Sequence, residues 1–174
     1  MVLLFAYLIL AIGVSFLCSM LEAIILSVTP SYVAYLEQEQ PQIGGLLRRL
    51  KSNVDRPLSA ILSLNTIAHT VGAAGVGAQS QKVFGDAYVT ATSIVLTFLI
   101  LVLSEIIPKT LGATHWRSLA PVSSRTLSGL ILVLYPLVGM SQGITRLLSR
   151  NKDARLFNIA EFGALADLGV QEGA

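Results

Sequence analysis

The chain has 174 residues, 53% hydrophobic and only 13% charged, with a net charge of +2 and a mean hydropathy of +0.71. A water-soluble domain carries about 25% charged residues, so the composition excludes a soluble enzyme, a disordered chain and, with one cysteine, a disulfide scaffold. The charge surplus is too small to argue for nucleic acid as a partner, which leaves the lipid bilayer.

A helix needs about 20 apolar residues to cross a hydrocarbon core. Residues 1–28 contain one charge, Glu22, and no basic residue precedes them. The run is too long for a signal-peptide core, so it predicts a retained first span. Cys18 within it reads as a small packed hydrophobe. Thr29-Pro30 then reads as a helix cap with proline at the first helical position. Residues 29–56 are predicted to form short helices at the membrane face, the second (IGGLLRRL) basic and amphipathic. From Pro57 to Gln81 there is no charge, which gives a second span at about 57–80. Ala87 to Ser104 is also charge-free and runs into SEIIPKTLG, which gives a third at about 87–112.

Residues 118–145 hold only Arg125 but are broken by Pro121, Gly129, Pro136, Gly139 and Gly143. The stretch is long enough for a fourth crossing, and basic residues decide against it. Arg48, Arg49, Lys51 and Arg56 follow the first span, and Lys109, Arg117, Arg125, Arg146, Arg150, Lys152 and Arg155 follow the start of the third. Three crossings put both groups in the cytoplasm and the N-terminus outside. A fourth would strand the last four. Juxtamembrane helices over about 115–150 are expected instead. Residues 151–174 are too short to fold alone and read as the start of a linker. The fold class is therefore an all-α membrane protein with three transmembrane helices and cytoplasmic juxtamembrane helices.

Ionisable residues inside spans are functional candidates by default. Ser15, Ser19 and Glu22 fall at i, i+4 and i+7, on one face of the first span. On the second, Ser59, Ser63, Thr66 and Thr70 form one stripe, and Asn65, His69 and Gly72 another about 100° round. On the third, Thr90, Ser93, Thr97 and Ser104 share a side, with Glu105 beside it. Serine and threonine in spans often bond back to their own helix. Asn65 and His69 could be packing glue between helices, and the two glutamates are harder to dismiss. Pro108 has no N–H, so the Ser104 carbonyl loses its i+4 partner and the helix gains a hinge. Lys109 is four residues from Glu105 and could pair with it. Two glutamates, an asparagine, serines and a freed carbonyl form an oxygen-rich set suited to a hard cation such as Mg²⁺ or Ca²⁺. The run GAAGVGA lies in a charge-free span and follows no strand. Its small residues Gly72, Ala73, Ala74, Gly77 and Ala78 predict a close helix–helix contact across a homodimer.

The S-x-x-E of 19–22, NTIAHT at 65–70 and SEIIPKTLG at 104–112 resemble the CNNM/CorC family, whose membrane domain is also described as DUF21. The resemblance covers about residues 1–150, and LADLGVQEG at 165–173 resembles the lead into that family's cytoplasmic tandem CBS domains. It implies the transmembrane piece of a homodimeric Mg²⁺ exporter in a bacterial inner membrane. Na⁺ coupling is implied too, with nucleotide acting only through the absent CBS pair. Carried over by position, it implies Ser19, Ser63, Asn65, Glu105 and the Gly112 carbonyl as metal ligands. Glu22, His69, Ser104 and Lys109 would line or couple to that site, and Pro108 would be the hinge. The chain departs from the family pattern at Ser104, where glycine is expected, and at His69, where a second asparagine is common. Histidine titrates near neutrality, which would make the site pH-sensitive.

Two other readings are open. A non-transporting membrane scaffold or sensor could use a cation only to steady its dimer. An intramembrane serine hydrolase would need Ser104 or Ser63 to reach His69 as a nucleophile–base pair.

Overall fold

A computed structural model describes residues 1–149, and the expected linker at 151–174 lies outside them, as do Arg150, Lys152 and Arg155. The chain divides into two compact units, Met1–Gln142 and Gly143–Ala174. The described part of the second is the end of a helix. Among the described residues the regular structure is all helical: α1 (Val2–Ser27), α2 (Pro30–Glu39), α3 (Pro41–Ser52), α4 (Asp55–Phe84), α5 (Val89–Leu99), a π-helical segment (Ile100–Ile106), α6 (Ile107–Val133) and α7 (Tyr135–Ser149).

Three stretches are long and apolar enough to cross a membrane: Val2–Ser27, Asp55–Phe84 and the continuous Asp86–Val133. The third has 48 residues. At 1.5 Å per residue a straight helix of that length would run about 72 Å, over twice the hydrocarbon thickness. It is not straight. His115 leaves helical geometry (φ −108°, ψ 19°), and Pro121 follows six residues later. The helix stops at Val133, and α7 has 15 residues, fewer than a crossing needs. The apolar stretch 118–145 is thus a broken helix pair.

Each boundary has a local cause. Thr29 caps α2 by accepting a hydrogen bond from the Tyr32 N–H at 3.4 Å, with Pro30 at the first helical position. Pro41 opens α3, whose last turn carries Arg49 and Lys51. Lys51 Nζ donates to the Ile25 carbonyl at 3.1 Å, satisfying one of the acceptors that the end of α1 leaves open. Gly85, at φ +87° and ψ 169°, turns the chain out of α4 through a conformation that only glycine adopts cheaply.

Helix α1 is central, packing on α4 along one side and on the π segment and α6 along the other. At its C-terminal end a hydrophobic core joins Leu21, Ile24, Ile25 and Val28 to Val33 and Leu36 of α2, Leu47 of α3, Ala60 and Ile61 of α4, and Leu127 of α6. Cys18 is fully buried in the same cluster. Tyr32 ties α2 to α6: its ring meets Trp116 edge-on at 5.0 Å and its hydroxyl donates to the Arg117 carbonyl at 2.6 Å. Of the basic residues of α3, Lys51 thus stands at the end of α1 where its helix finishes.

Candidate cation site

Three helical stretches bring their polar faces to one point. From α1 come Ser15, Ser19 and Glu22, from α4 Asn65 and His69, and from the third stretch Glu105 and Lys109. Glu105 is the centre. Its Oε1 accepts a hydrogen bond from Asn65 Nδ2 at 3.2 Å, and its Oε2 pairs with Lys109 Nζ at 2.9 Å. Lys109 reaches on to Glu22 Oε2 at 3.3 Å, so one ammonium bridges two carboxylates on different helices. His69 Nε2 shares a hydrogen bond of 2.7 Å with Ser15 Oγ and lies 3.9 Å from Glu105 Oε1.

Two buried oxygens in this cluster lack a hydrogen-bond partner: Ser19 Oγ and Asn65 Oδ1. The Ser19 hydroxyl lies close enough to the Glu105 carboxylate to act on it as a weak hydrogen-bond donor, though it does not meet the geometry of a full hydrogen bond. Turning the Asn65 amide over would not help, since it would set Oδ1 against a carboxylate oxygen. A buried polar atom left unsatisfied costs about 1–3 kcal/mol, so each needs a reason. Two neutral oxygens beside a carboxylate are the donors that a hard divalent cation takes. Among the described residues no three His, Cys, Asp or Glu side chains converge as a metal cluster, so a cation held here would rest on Glu105 and neutral oxygens.

Glu105 stands in the π-helical segment. There the Ile107 N–H donates to the Val102 carbonyl, five residues back. The next bond in that register would run from residue 108 to Leu103, and Pro108 has no N–H to make it. The π register thus moves the carbonyl facing the missing donor from Ser104, where an α-helix would put it, to Leu103. Single π turns inside helices are rare and frequently sit at functional sites. Nothing in the local sequence except Pro108 announces this one.

The remaining expected residues fall elsewhere. Ser104 is buried and its hydroxyl donates to the Ile100 carbonyl at 2.7 Å. Ser93 and Thr97 bond back to their own helix in the same way. Ser63 is half-buried on α4, two residues before Asn65 and so about 200° round the helix from it. Gly112 is buried against α1, where an added Cβ would come within 2.8 Å of the Met20 carbonyl and 3.0 Å of Ala23 Cβ. That glycine has a packing reason of its own. Gly72, expected between subunits, also packs within the chain: an added Cβ would lie 2.3 Å from Ala11 Cβ. Gly75 does the same against the Tyr7 ring, whereas Ala73, Ala74 and Ala78 stay exposed.

Ser15 was not among the expected site residues, although its i, i+4, i+7 spacing with Ser19 and Glu22 marked the face. Its bond to His69 raises the question of a serine–histidine–carboxylate relay. Both the Ser15 and the Glu105 contacts are made by the same nitrogen, Nε2. In a triad the base meets the serine through one ring nitrogen while the carboxylate holds the N–H of the other, so these two contacts on a single nitrogen do not make one.

A family model described as the cyclin M transmembrane N-terminal domain (CNNM) matches residues 6–174. A UPF0053 protein of Synechocystis is 35% identical over 157 residues, covering 90% of this chain and 45% of that protein. A chloroplastic DUF21 domain-containing protein of Arabidopsis thaliana is 35% identical over 142 residues, covering 79% of this chain and 21% of the relative. A UPF0053 protein of Haemophilus influenzae is 31% identical over 143 residues, covering 82% and 34%. The chain spans less than half the length of each of these relatives.

Proposed function

From the premise that this chain belongs to the CNNM family of membrane domains and is an integral membrane protein, we propose that it is the membrane module of a divalent-cation transporter, with Mg²⁺ as cargo. The observation that carries the reading is the unpartnered buried oxygen Asn65 Oδ1, with the loosely held Ser19 hydroxyl, beside the Glu105 carboxylate. Glu105 supplies the charge, Ser19 and Asn65 supply neutral oxygens, and water completes the shell that Mg²⁺ usually keeps. Ser63 and the Gly112 carbonyl belong to the ligand set by resemblance alone.

Lys109 gives the site an internal competitor. With ordinary charges, Glu22, Glu105 and Lys109 sum to one net negative charge. A divalent ion entering beside Asn65 would compete with the ammonium for Glu105. Release of Lys109, and flexing of the π segment at Pro108, would couple ion binding to movement of the third span, the kind of change that alternating access needs. Export, Na⁺ coupling, the homodimer and nucleotide control through a CBS pair follow from the family resemblance. The exposed Ala73, Ala74 and Ala78 suit a dimer contact. The basic residues of α3 favour a cytoplasmic location for that end, with the N-terminus outside.

The same lysine supports a second reading. If Lys109 is the permanent counter-ion, the cluster only locks three helices together and the protein is a membrane scaffold rather than a carrier. Flux separates the two: protein reconstituted in liposomes moves Mg²⁺ down an imposed gradient if it transports, and Glu105→Gln stops it. Tight Mg²⁺ binding with no flux in the parent protein would leave the scaffold.

A further inference from the structure

We propose that the pocket between α3, the start of α4 and the far half of α6 binds the phosphodiester headgroup of an anionic phospholipid. The pocket measures about 250 Å³ and is lined by Arg49, Asn53, Arg56 and Ser128, with Leu50 and Ile131 among its apolar wall. Two guanidiniums face it, and no acidic side chain lines it among the described residues. Among the described residues neither arginine is held in an ion pair, whereas neighbouring Arg48 is spent on Glu37 at 3.4 Å. A planar guanidinium offers paired N–H donors that match phosphate oxygens, and two of them suit a group carrying a full negative charge. The Asn53 amide and Ser128 hydroxyl add neutral polar contacts.

The location argues for a lipid over a free phosphate. Arg56 and Pro57 stand in the first turn of α4, the second candidate span, and the end of a span is where lipid headgroups are met. The wall residue Ile131 is followed by Leu132 and Val133, each 76% exposed, which offer apolar surface beside the pocket to acyl chains. A headgroup with its phosphate between two arginines and its tails on α6 uses both features, and a soluble phosphate uses one. Juxtamembrane basic residues are drawn to anionic leaflets in any case. The pocket adds a defined seat. The two arginines would hold α3 to the bilayer beside the start of α4.

The test is lipid binding to the delipidated chain in a neutral detergent, followed by native mass spectrometry and thermal unfolding. Phosphatidylglycerol, phosphatidylcholine and glycerol 3-phosphate are titrated separately. Phosphatidylglycerol should bind at least about tenfold more tightly than the other two, and the Arg49→Gln/Arg56→Gln double variant should lose about tenfold in that affinity, as for a charged hydrogen bond removed. Arg48→Gln/Arg117→Gln removes the same charge outside the pocket and should bind as the parent does. All four arginines are exposed, so both double variants are expected to fold, and their unfolding temperature without lipid checks this. Equal losses in the two double variants would reduce the effect to surface charge and overturn the site. Equal binding of glycerol 3-phosphate and phosphatidylglycerol would assign the pocket to a soluble phosphate and overturn the lipid.

Discussion

Asn65 on α4 holds Glu105 on the third stretch through its Nδ2, at 3.2 Å, and by doing so turns its own Oδ1 into a buried space with no donor. The two halves of one amide thus do opposite things to stability. The bond to a charged acceptor gains about 1.5–3 kcal/mol, while the orphaned oxygen costs about 1–3 kcal/mol. The terms nearly cancel. Asn65→Ala should therefore change the melting behaviour of the protein by little, within about 1 kcal/mol, when no divalent ion is added. Its response to Mg²⁺ should disappear. Melting curves with and without Mg²⁺ check this, and a variant that is stabilised as much as the parent would remove Asn65 from the site.

Lys109→Gln separates a carrier from a scaffold. The change deletes the ammonium that bridges Glu105 at 2.9 Å and Glu22 at 3.3 Å. Lys109 is about half exposed, so each pair is screened and contributes about 1 kcal/mol or less. Stability without added ion should fall by about that much. If the cluster binds cargo, losing the competitor should lower the Mg²⁺ concentration at half-saturation and Mg²⁺ should restore the melting temperature. A loss that Mg²⁺ fails to restore is the scaffold's signature.

Much of this arrangement can be read from residue patterns, and the divide between what can and what cannot is physical. The three spans follow from long intervals without charge. The polar faces of α1 and α4 follow from helical spacing, which put Ser19 and Glu22 on one side and Asn65 and His69 on another. What helical spacing cannot give is reach across helices. Lys109 at i+4 from Glu105 announces that pair, but its second carboxylate, Glu22, is on another helix. His69 meets Ser15, 54 residues away. The π segment depends on how the third span settles against α1, which no local propensity encodes.

The glycine run of α4 illustrates the same limit and yields a prediction. Small residues signal close approach but not the neighbour. Gly72 faces Ala11, with an added Cβ only 2.3 Å from its Cβ, whereas around Gly77 nothing lies within 4 Å. Gly72→Ala should cost about 1–3 kcal/mol through overpacking of α1 on α4. Gly77→Ala should be neutral or slightly stabilising, since alanine favours a helix by up to about 1 kcal/mol over glycine. Thermal unfolding of both variants in one detergent checks the contrast. Equal costs would mean that α1 and α4 do not meet closely at Gly72.

The sharpest stability test lies away from the ions. Pro121 sits inside α6 and cannot donate to the carbonyl four residues earlier, which belongs to Arg117. Tyr32 of α2 donates its hydroxyl to that same carbonyl at 2.6 Å. The proline opens the acceptor and the tyrosine closes it, so the two residues should be energetically coupled. Tyr32→Phe keeps the edge-on contact with Trp116 and removes only the hydroxyl. It should cost about 0.5–1 kcal/mol in the parent, since a helix carbonyl loses its partner at a site that water can reach. In a Pro121→Ala background the new N–H can serve Arg117 from within the helix, and the same substitution should cost much less. A double-mutant cycle measures the difference directly. If Tyr32→Phe costs the same in both backgrounds, the hydroxyl is not replacing the bond that the proline removed, and the anchoring of α2 on α6 rests on the aromatic contact alone.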